Sequence, residues 1–398
     1  MKNAFLVLIA SALIGDFNVV GRVTGSEVFL IPIAVVAIFR PGPNIAAARQ
    51  FYIFIVLWAF GAFVSDIING STFEDYSRGW AKIIFFGLNF TALRWLIGTD
   101  RTRIIVFIYA LAVATAARIA LGRVSDELAD DVFGNSWKFG YGQLFTMTTL
   151  LISAHLLRMT WSRPFGMAAP FAAAAVSLLM NARNLTGLTT LAGLISAMTA
   201  GRKRPFPVSY IIGIAVAAGV AGLVVINIYE YSAGQGLLGR EAQDKYLQQS
   251  QGNLNILLAG RTESLASTQA IIDAPILGHG SWARNINYVM LMLNRMAAEG
   301  LEVRNQITSD LIPSHSHLLG AWVEHGVLGA AFWFWAVYVT LKGLLGAAQR
   351  PTPYTGFVAF IGLSLLWDTF FSPFGLERRV VTAAWLYCMM LYGQEEVG

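Results

Sequence analysis

Long unbroken apolar runs constrain this chain more than any other feature. They fall at about 3–20, 27–39, 50–69, 80–98, 103–121, 139–157, 165–182, 185–200 and 206–229, and then, after a gap, at about 315–341, 354–373 and 379–393. A helix needs about 20 apolar residues to cross the hydrocarbon core, where only helices and closed barrels satisfy every backbone group. The runs are continuous rather than alternating, which excludes a barrel and predicts an all-α, polytopic membrane protein of about twelve transmembrane helices. Composition agrees, with 56% hydrophobic residues, 13% charged residues and a mean hydropathy of +0.58. Pro32 interrupts the short second run. The opening MKNAFLVLIASALIG resembles a signal peptide, but its weak cleavage site and the second run that follows at once point to a retained first span.

Charge placement gives the orientation. With the N-terminus cytoplasmic, the inner loops carry Arg40 and Arg49, then Arg94, Arg101 and Arg103, then Arg158 and Arg163, the run Arg202-Lys203-Arg204, and Lys342 and Arg350. The outer loops carry Glu74 and Asp75, then Asp126, Glu127, Asp130 and Asp131. Positive charge gathers inside, so both termini are expected in the cytoplasm, and the outer side of a bacterial inner membrane is the periplasm. The net charge of +5 is scattered over short loops, which reads as topology and binding of anionic lipid or phosphate and gives no nucleic-acid footprint. The single cysteine, Cys388, excludes an internal disulfide and a thiolate metal cage.

Three regions follow: an N-terminal bundle of about nine helices over 1–229, an outer loop domain over 230–314, and about three C-terminal helices over 315–398. The outer segment has domain-like length, and loops that long usually carry function. Helices are expected from Glu241 to Gln251, from Thr262 to Asp273 up to the stop at Pro275, and from Ile286 to Gly300. In the last, Met290, Leu291, Leu293 and Met296 form a face suited to the membrane surface.

The stretch IPSHSHLLGAWVEHGVLGA, Ile312 to Ala330, stands where this polar segment meets the bilayer. Imidazole is the side chain best matched to taking a proton near neutral pH, and His315 sits at that boundary. Ser314 reads as the N-cap of the following helix, putting His315 in its first turn, where the helix dipole favours the neutral base. An interfacial histidine that snorkels to water is the plain alternative. His315 and His317 spell His-x-His, but residues two apart on a helix point to opposite faces, so they share a metal only if the segment is extended.

Arg183, in the tight turn MNARNLTG between two apolar spans, is costly at the membrane face unless it meets an anion. It is either a headgroup contact or a clamp on phosphate oxygens. Arg261, before the second outer helix, is by itself a solvated charge. Arg378 and Arg379 form a basic pair on the outer side, which points to an anionic ligand or to neutralisation by Glu377 or Asp368. Asp66, Asp368 and His155 do not make the acid–base chain of a proton-coupled pump, and His155 reads as packing.

These residues together resemble the O-antigen ligase family. Its signature is a histidine, then Asn, Ser or Gln, nine residues, a glycine, two residues, and Gly, Thr or Tyr. Here His315, Ser316, the stretch His317 to His325, Gly326 and Gly329 match it. GRTESLASTQAIIDAPILGHG, Gly260 to Gly280, is similar to the superfamily's arginine-led helix followed by P-x-x-G-x-G, and NARNLTG to its arginine turn, although Ala182 stands where serine is usual. The resemblance implies a GT-C-like fold and a metal-independent, cofactor-free, inverting glycosyltransferase with its active site on the periplasmic face. The donor would be a saccharide on undecaprenyl pyrophosphate and the acceptor a sugar hydroxyl of a polysaccharide or of lipid A-core. His315 would act on the acceptor hydroxyl, and Arg183 and Arg261 would hold the leaving pyrophosphate. His317, His279, Arg284, Arg378 and Arg379 are further candidate substrate contacts outside the defined motif positions.

The superfamily includes polymerases of O-antigen and exopolysaccharide and O-antigen ligases; the polymerase is the first expectation and the ligase the second. Membrane lipids, and a chain-length regulator and flippase of the same pathway, would be its partners. A lipid-linked oligosaccharide flippase is the rival of another class, but it predicts internal repeats and a polar path at mid-membrane depth.

Overall fold

The computed structural model describes residues 2–18, 22–40, 42, 45–124, 132–202, 262–299, 309–376 and 378–394, with 213, 220, 224, 227–237, 239, 240, 243, 246 and 247 between the larger segments. Most of the helix expected over 241–251 and most of the run at 206–229 lie outside the described residues. The rest is an all-α, multi-pass membrane protein. Its helices are α1 (Lys2–Ser11), α2 (Gly25–Phe39), α3 (Ile45–Asn69), α4 (Phe73–Ile97), α5 (Arg101–Ala120), α6 (Gly142–Leu156), α7 (Arg163–Leu179), α8 (Arg183–Thr199), α9 (Glu263–Asp273), α10 (Ile286–Ala298), α11 (His317–Gln349), α12 (Thr355–Phe371) and α13 (Arg378–Gly393). Among the described residues four helices are long and apolar enough to cross a bilayer, α3, α4, α5 and α11, and the stretches Asn3–Ile14, Gly25–Phe39 and Thr355–Phe371 are shorter apolar helices.

The first run does not continue to residue 20. Helix stops at Ile14, and Asp16–Asn18 (β1) pairs antiparallel with Arg22–Thr24 (β2). Hydropathy cannot tell a strand from a helix in a short apolar stretch, and here local polar groups decide. Arg22 bonds Asp16 at 2.5 Å across the hairpin, holding the Asp16 carboxyl below its ordinary value. Thr24 and Glu27 then form a reciprocal capping box that starts α2.

Glu27 also ties elements together. Fully buried, it accepts from Asn89 of α4 at 3.0 Å and from Arg379 of α13 at 2.7 Å. Below this knot α3, α4, α11 and α13 pack about an aromatic core that includes Phe51, Trp58, Phe86, Phe90, Phe332 and Trp333. α12 packs on α11 and α8, and α6, α7 and α8 extend the bundle on that side.

The chain reverses at each described turn, so the bundle has two distinct ends. At one, Arg101 reaches the Leu391 carbonyl, Arg350 the carbonyls of Tyr392 and Gln394, and Arg158 the Tyr354 hydroxyl. The β-hairpin, the turn at 70–72, the α7–α8 turn and the insert of α9 and α10 lie at the other. At the end that holds 98–103 and 391–394 the described basic residues outnumber the acidic ones, whereas at the other end Arg22, Lys82, Arg284, Arg378 and Arg379 pair with carboxylates, a charge balance of the kind that the positive-inside rule associates with a cytoplasmic face at the first end.

Candidate functional site

The boundary stretch is built around Ser316, which is the N-cap of α11. Its hydroxyl accepts from Leu319 N at 3.0 Å and donates to the Thr369 carbonyl at 2.8 Å, fastening the start of α11 to the end of α12. The expected cap, Ser314, is displaced by two residues because Ser316 alone meets this tertiary acceptor. His315 therefore precedes the helix instead of lying in its first turn. Its side chain is 54% exposed, with Nδ1 3.6 Å from Glu263 Oε1 at the start of α9. His317 has a different environment: it is buried, stacked on Trp333 at 4.7 Å and set edge-on to Phe374, with neither ring nitrogen hydrogen-bonded among the described residues.

Ten residues into α11 the motif glycines break the helix. His325 has φ −125°, ψ 15° and Gly326 has φ 63°, ψ −155°. A Cβ at Gly326 would collide with the Ile276 carbonyl oxygen, so only glycine fits. The loop after α9 fills this kink. His279 N and Gly280 N donate to the carbonyls of Val323 and Glu324 at 2.8 and 3.0 Å, and Val327 N donates to Ile276 O at 3.1 Å. The backbone bonds lost by the helix are thus replaced by the loop. Gly278 makes the close approach from the other side, since a Cβ there would lie 2.6 Å from Gly326 N. The P-x-x-G-x-G loop and the glycines of the histidine motif are two halves of one joint.

Asp66, near the end of α3, locks that joint. Its carboxylate accepts from Ser71 Oγ at 2.7 Å, Trp80 Nε1 at 2.8 Å, Ser281 N at 2.6 Å and Ser281 Oγ at 2.9 Å. His325 completes the chain. Trp58 can only donate, and it donates to His325 Nδ1 at 2.9 Å, so the neutral ring carries its proton on Nε2 and gives it to Ser281 Oγ at 3.0 Å. The order is therefore histidine to serine to aspartate. A hydrolase triad runs the other way, with histidine accepting from serine, so Ser281 is a structural link and not an activated nucleophile. Beside it Lys82 pairs with Glu324 at 2.5 Å.

Arg183 is the first residue of α8, with its guanidinium over the Tyr229 ring at 4.5 Å. Gly356 at the start of α12 packs on Ser196 near the end of α8, so the two helices run antiparallel. At about 1.5 Å of rise per residue, Arg183 comes to the level of the α12 terminus, the end where Thr369 holds Ser316. His315 and Arg183 therefore share one end of the bundle. Arg261 lies outside the described residues, two positions before Glu263.

The remaining candidates have partners within the fold. Arg379 bonds Glu27 and the Arg22 carbonyl, and Arg378 pairs with Asp368, whose other oxygen accepts from Ser372. Arg284, half exposed, bridges Asp310 and Asp75, and the Asp310 carboxylate pushes its guanidinium above the ordinary value. His279 Nε2 donates to the Ala270 carbonyl at 2.8 Å and its ring meets Tyr288 edge-on. Sequence reasoning passed over Ser281, Ser71, and Ser65 and Asn69, which donate to the Glu324 and Gly278 carbonyls at 2.9 and 3.2 Å. For Ser65, Asn69 and Ser71 the available signal was a cluster of small polar groups at the end of an apolar run, next to Asp66.

No protein-family model and no curated protein matches this chain.

Proposed function

We propose that this protein is a metal-independent, inverting glycosyltransferase of about twelve spans and GT-C-like architecture, acting on a polyprenyl-pyrophosphate-linked saccharide at the periplasmic face of the inner membrane, with polysaccharide polymerisation as its reaction. The observation that carries this reading is the joint at α11. The same helix begins, just after an exposed imidazole, His315, at the end of the bundle that also carries Arg183, and the backbone contacts of the joint are made by residues of the two motif blocks.

His315 takes the proton of the acceptor hydroxyl as that oxygen attacks the anomeric carbon. The bond from that carbon to the pyrophosphate breaks, and the leaving oxygen departs with the electron pair. Arg183 and Arg261 hold the departing charge, and fixed cations suffice because pyrophosphate is already a stable anion. Attack from the far side of the anomeric carbon inverts its configuration.

Purified protein supplied with lipid-linked donor, with and without chelator, tests this. Transfer is expected to survive the chelator and to fall by about 10²-fold or more in His315→Ala. Arg183→Ala is expected to weaken transfer at limiting donor. Full activity in His315→Ala would overturn the assignment. In cells, a deletion should leave single repeat units on the final acceptor; polymer retained on the lipid carrier would indicate a ligase.

A further inference from the structure

The carboxylates at this end of the bundle have partners, and one of them faces the exposed histidine. Asp66 takes four donors, Asp75 and Asp310 hold Arg284, Asp368 holds Arg378, and Glu324 holds Lys82. Asp273 accepts from Tyr288 and Gln269. Among the described residues the partner of Glu263 is His315, with Oε1 3.6 Å from Nδ1. That separation is longer than a formed hydrogen bond, and a small side-chain rotation closes it, as happens when a site tightens on its substrate. Glu263 is also held on a fixed element, because Ala266 and Ala270 of α9 are buried against Tyr288, Ile312 and Val323.

We infer that Glu263 is a positioning residue for His315. Its carboxylate accepts Nδ1–H, which fixes the tautomer that leaves the Nε2 lone pair free. When the acceptor's proton arrives on Nε2, the same carboxylate stabilises the imidazolium. Oxygen accepts from one nitrogen while the other works as the base, so the pair acts as a unit. The inference rests on His315 being the base of the proposed transfer.

The test combines a spectrum with kinetics, on full-length protein in lipid nanodiscs. Histidine labelled with ¹⁵N reports which ring nitrogen carries the proton, and the His315 signal is identified by its loss in His315→Ala. In the wild type it is expected as the Nδ1–H tautomer. Glu263→Ala should move it toward Nε2–H and lower kcat about tenfold or more, with the donor KM within about twofold of wild type. Glu263→Gln, whose amide oxygen still accepts Nδ1–H, should restore the tautomer but not the full kcat, because the charge is gone. It also carries the test if the alanine variant folds poorly. An unchanged tautomer in Glu263→Ala, or a wild-type kcat there while His315→Ala is inactive, overturns the role of Glu263 and leaves the proposed function standing. A wild-type kcat in His315→Ala overturns the function and the role of Glu263 with it.

Discussion

Gly326→Ala asks a methyl group to occupy the space of the Ile276 carbonyl oxygen at φ +63°. With ψ at −155° this backbone conformation is one that essentially only glycine adopts and costs another residue roughly 1–3 kcal/mol, and relieving the collision means withdrawing the loop from the kink. The expected loss is about 2 kcal/mol or more, measured by unfolding in detergent micelles. Gly187→Ala is the control: it lies within α8, where an added Cβ meets nothing, so it should be neutral or stabilising by about 0.5–1 kcal/mol. Equal losses at the two positions would remove the joint as the reason for Gly326. The sequence displayed both motif blocks but not that they interlock, because the contact joins loop and helix backbones and no side chain announces it. The N-cap was misread for a related reason. Ser314 and Ser316 are equivalent as local signals, and the Thr369 carbonyl that separates them belongs to another helix.

The unit formed by α9 and α10 was legible as two helices because Pro275 stops the first and an amphipathic helical period marks the second. How the two join was not. Tyr288 donates to Asp273 at 2.7 Å; burial first, and then this bond, push the phenol up to about 12, while bonds from Tyr288 and Gln269 hold the Asp273 carboxyl below its ordinary value. A raised phenol contributes stability that is complete below its unfolded value near 10 and is lost as pH rises toward about 12; a depressed carboxyl contributes above about 3.9 and is lost as pH falls through its folded value. The stability difference between wild type and Tyr288→Phe is therefore expected to be flat from about pH 5 to 9 and to shrink outside that window. A difference that peaks at either extreme would contradict the pairing. The exposed apolar surface of the insert extends beyond the face read from the sequence, of which Met290 is exposed. Leu291 packs into the small core of the insert, whereas Ile272 and Ile276 are 64% and 69% exposed; Val327 N bonds the Ile276 carbonyl, and Trp322 of α11, which bonds the neighbouring Pro275 carbonyl, meets the exposed Phe334 ring. Apolar surface continuous with a membrane span belongs in the lipid interface. A spin label at Ile276→Cys, read against the buried Cys388, should be more accessible to oxygen than to a water-soluble relaxant in nanodiscs. The reverse order would lift the insert clear of the membrane.

At the scale of the molecule, hydropathy carried the class of fold, since lipid imposes it. It could not supply the polar knots that set helix beside helix. Arg378 and Arg379 illustrate the limit. Asp368, 10 positions earlier near the end of α12, neutralises Arg378 as a reader of the sequence would expect, but Arg379 finds Glu27, 352 positions earlier, at the start of a run that reads as plain apolar span. Glu27 joins α2, α4 and α13 in one contact, so its charge matters to the whole bundle. Glu27→Gln keeps one acceptor oxygen, for the α2 cap that uses Oε2 or for Asn89 that uses Oε1, and leaves the Arg379 guanidinium, buried with the Arg22 carbonyl and the Phe85 ring, without a counter-charge. Removing one member of a buried pair costs about 3–5 kcal/mol, whereas replacing both with neutral groups costs far less. Glu27→Gln should therefore destabilise the bundle by about 3 kcal/mol or more, and adding Arg379→Met should recover most of that loss, because the isolated charge and not the missing attraction is what the single variant suffers. Denaturation of the two variants in mixed micelles gives the coupling directly. Additive losses would mean that the two residues act separately and that the contact between α2 and α13 is held by apolar packing alone.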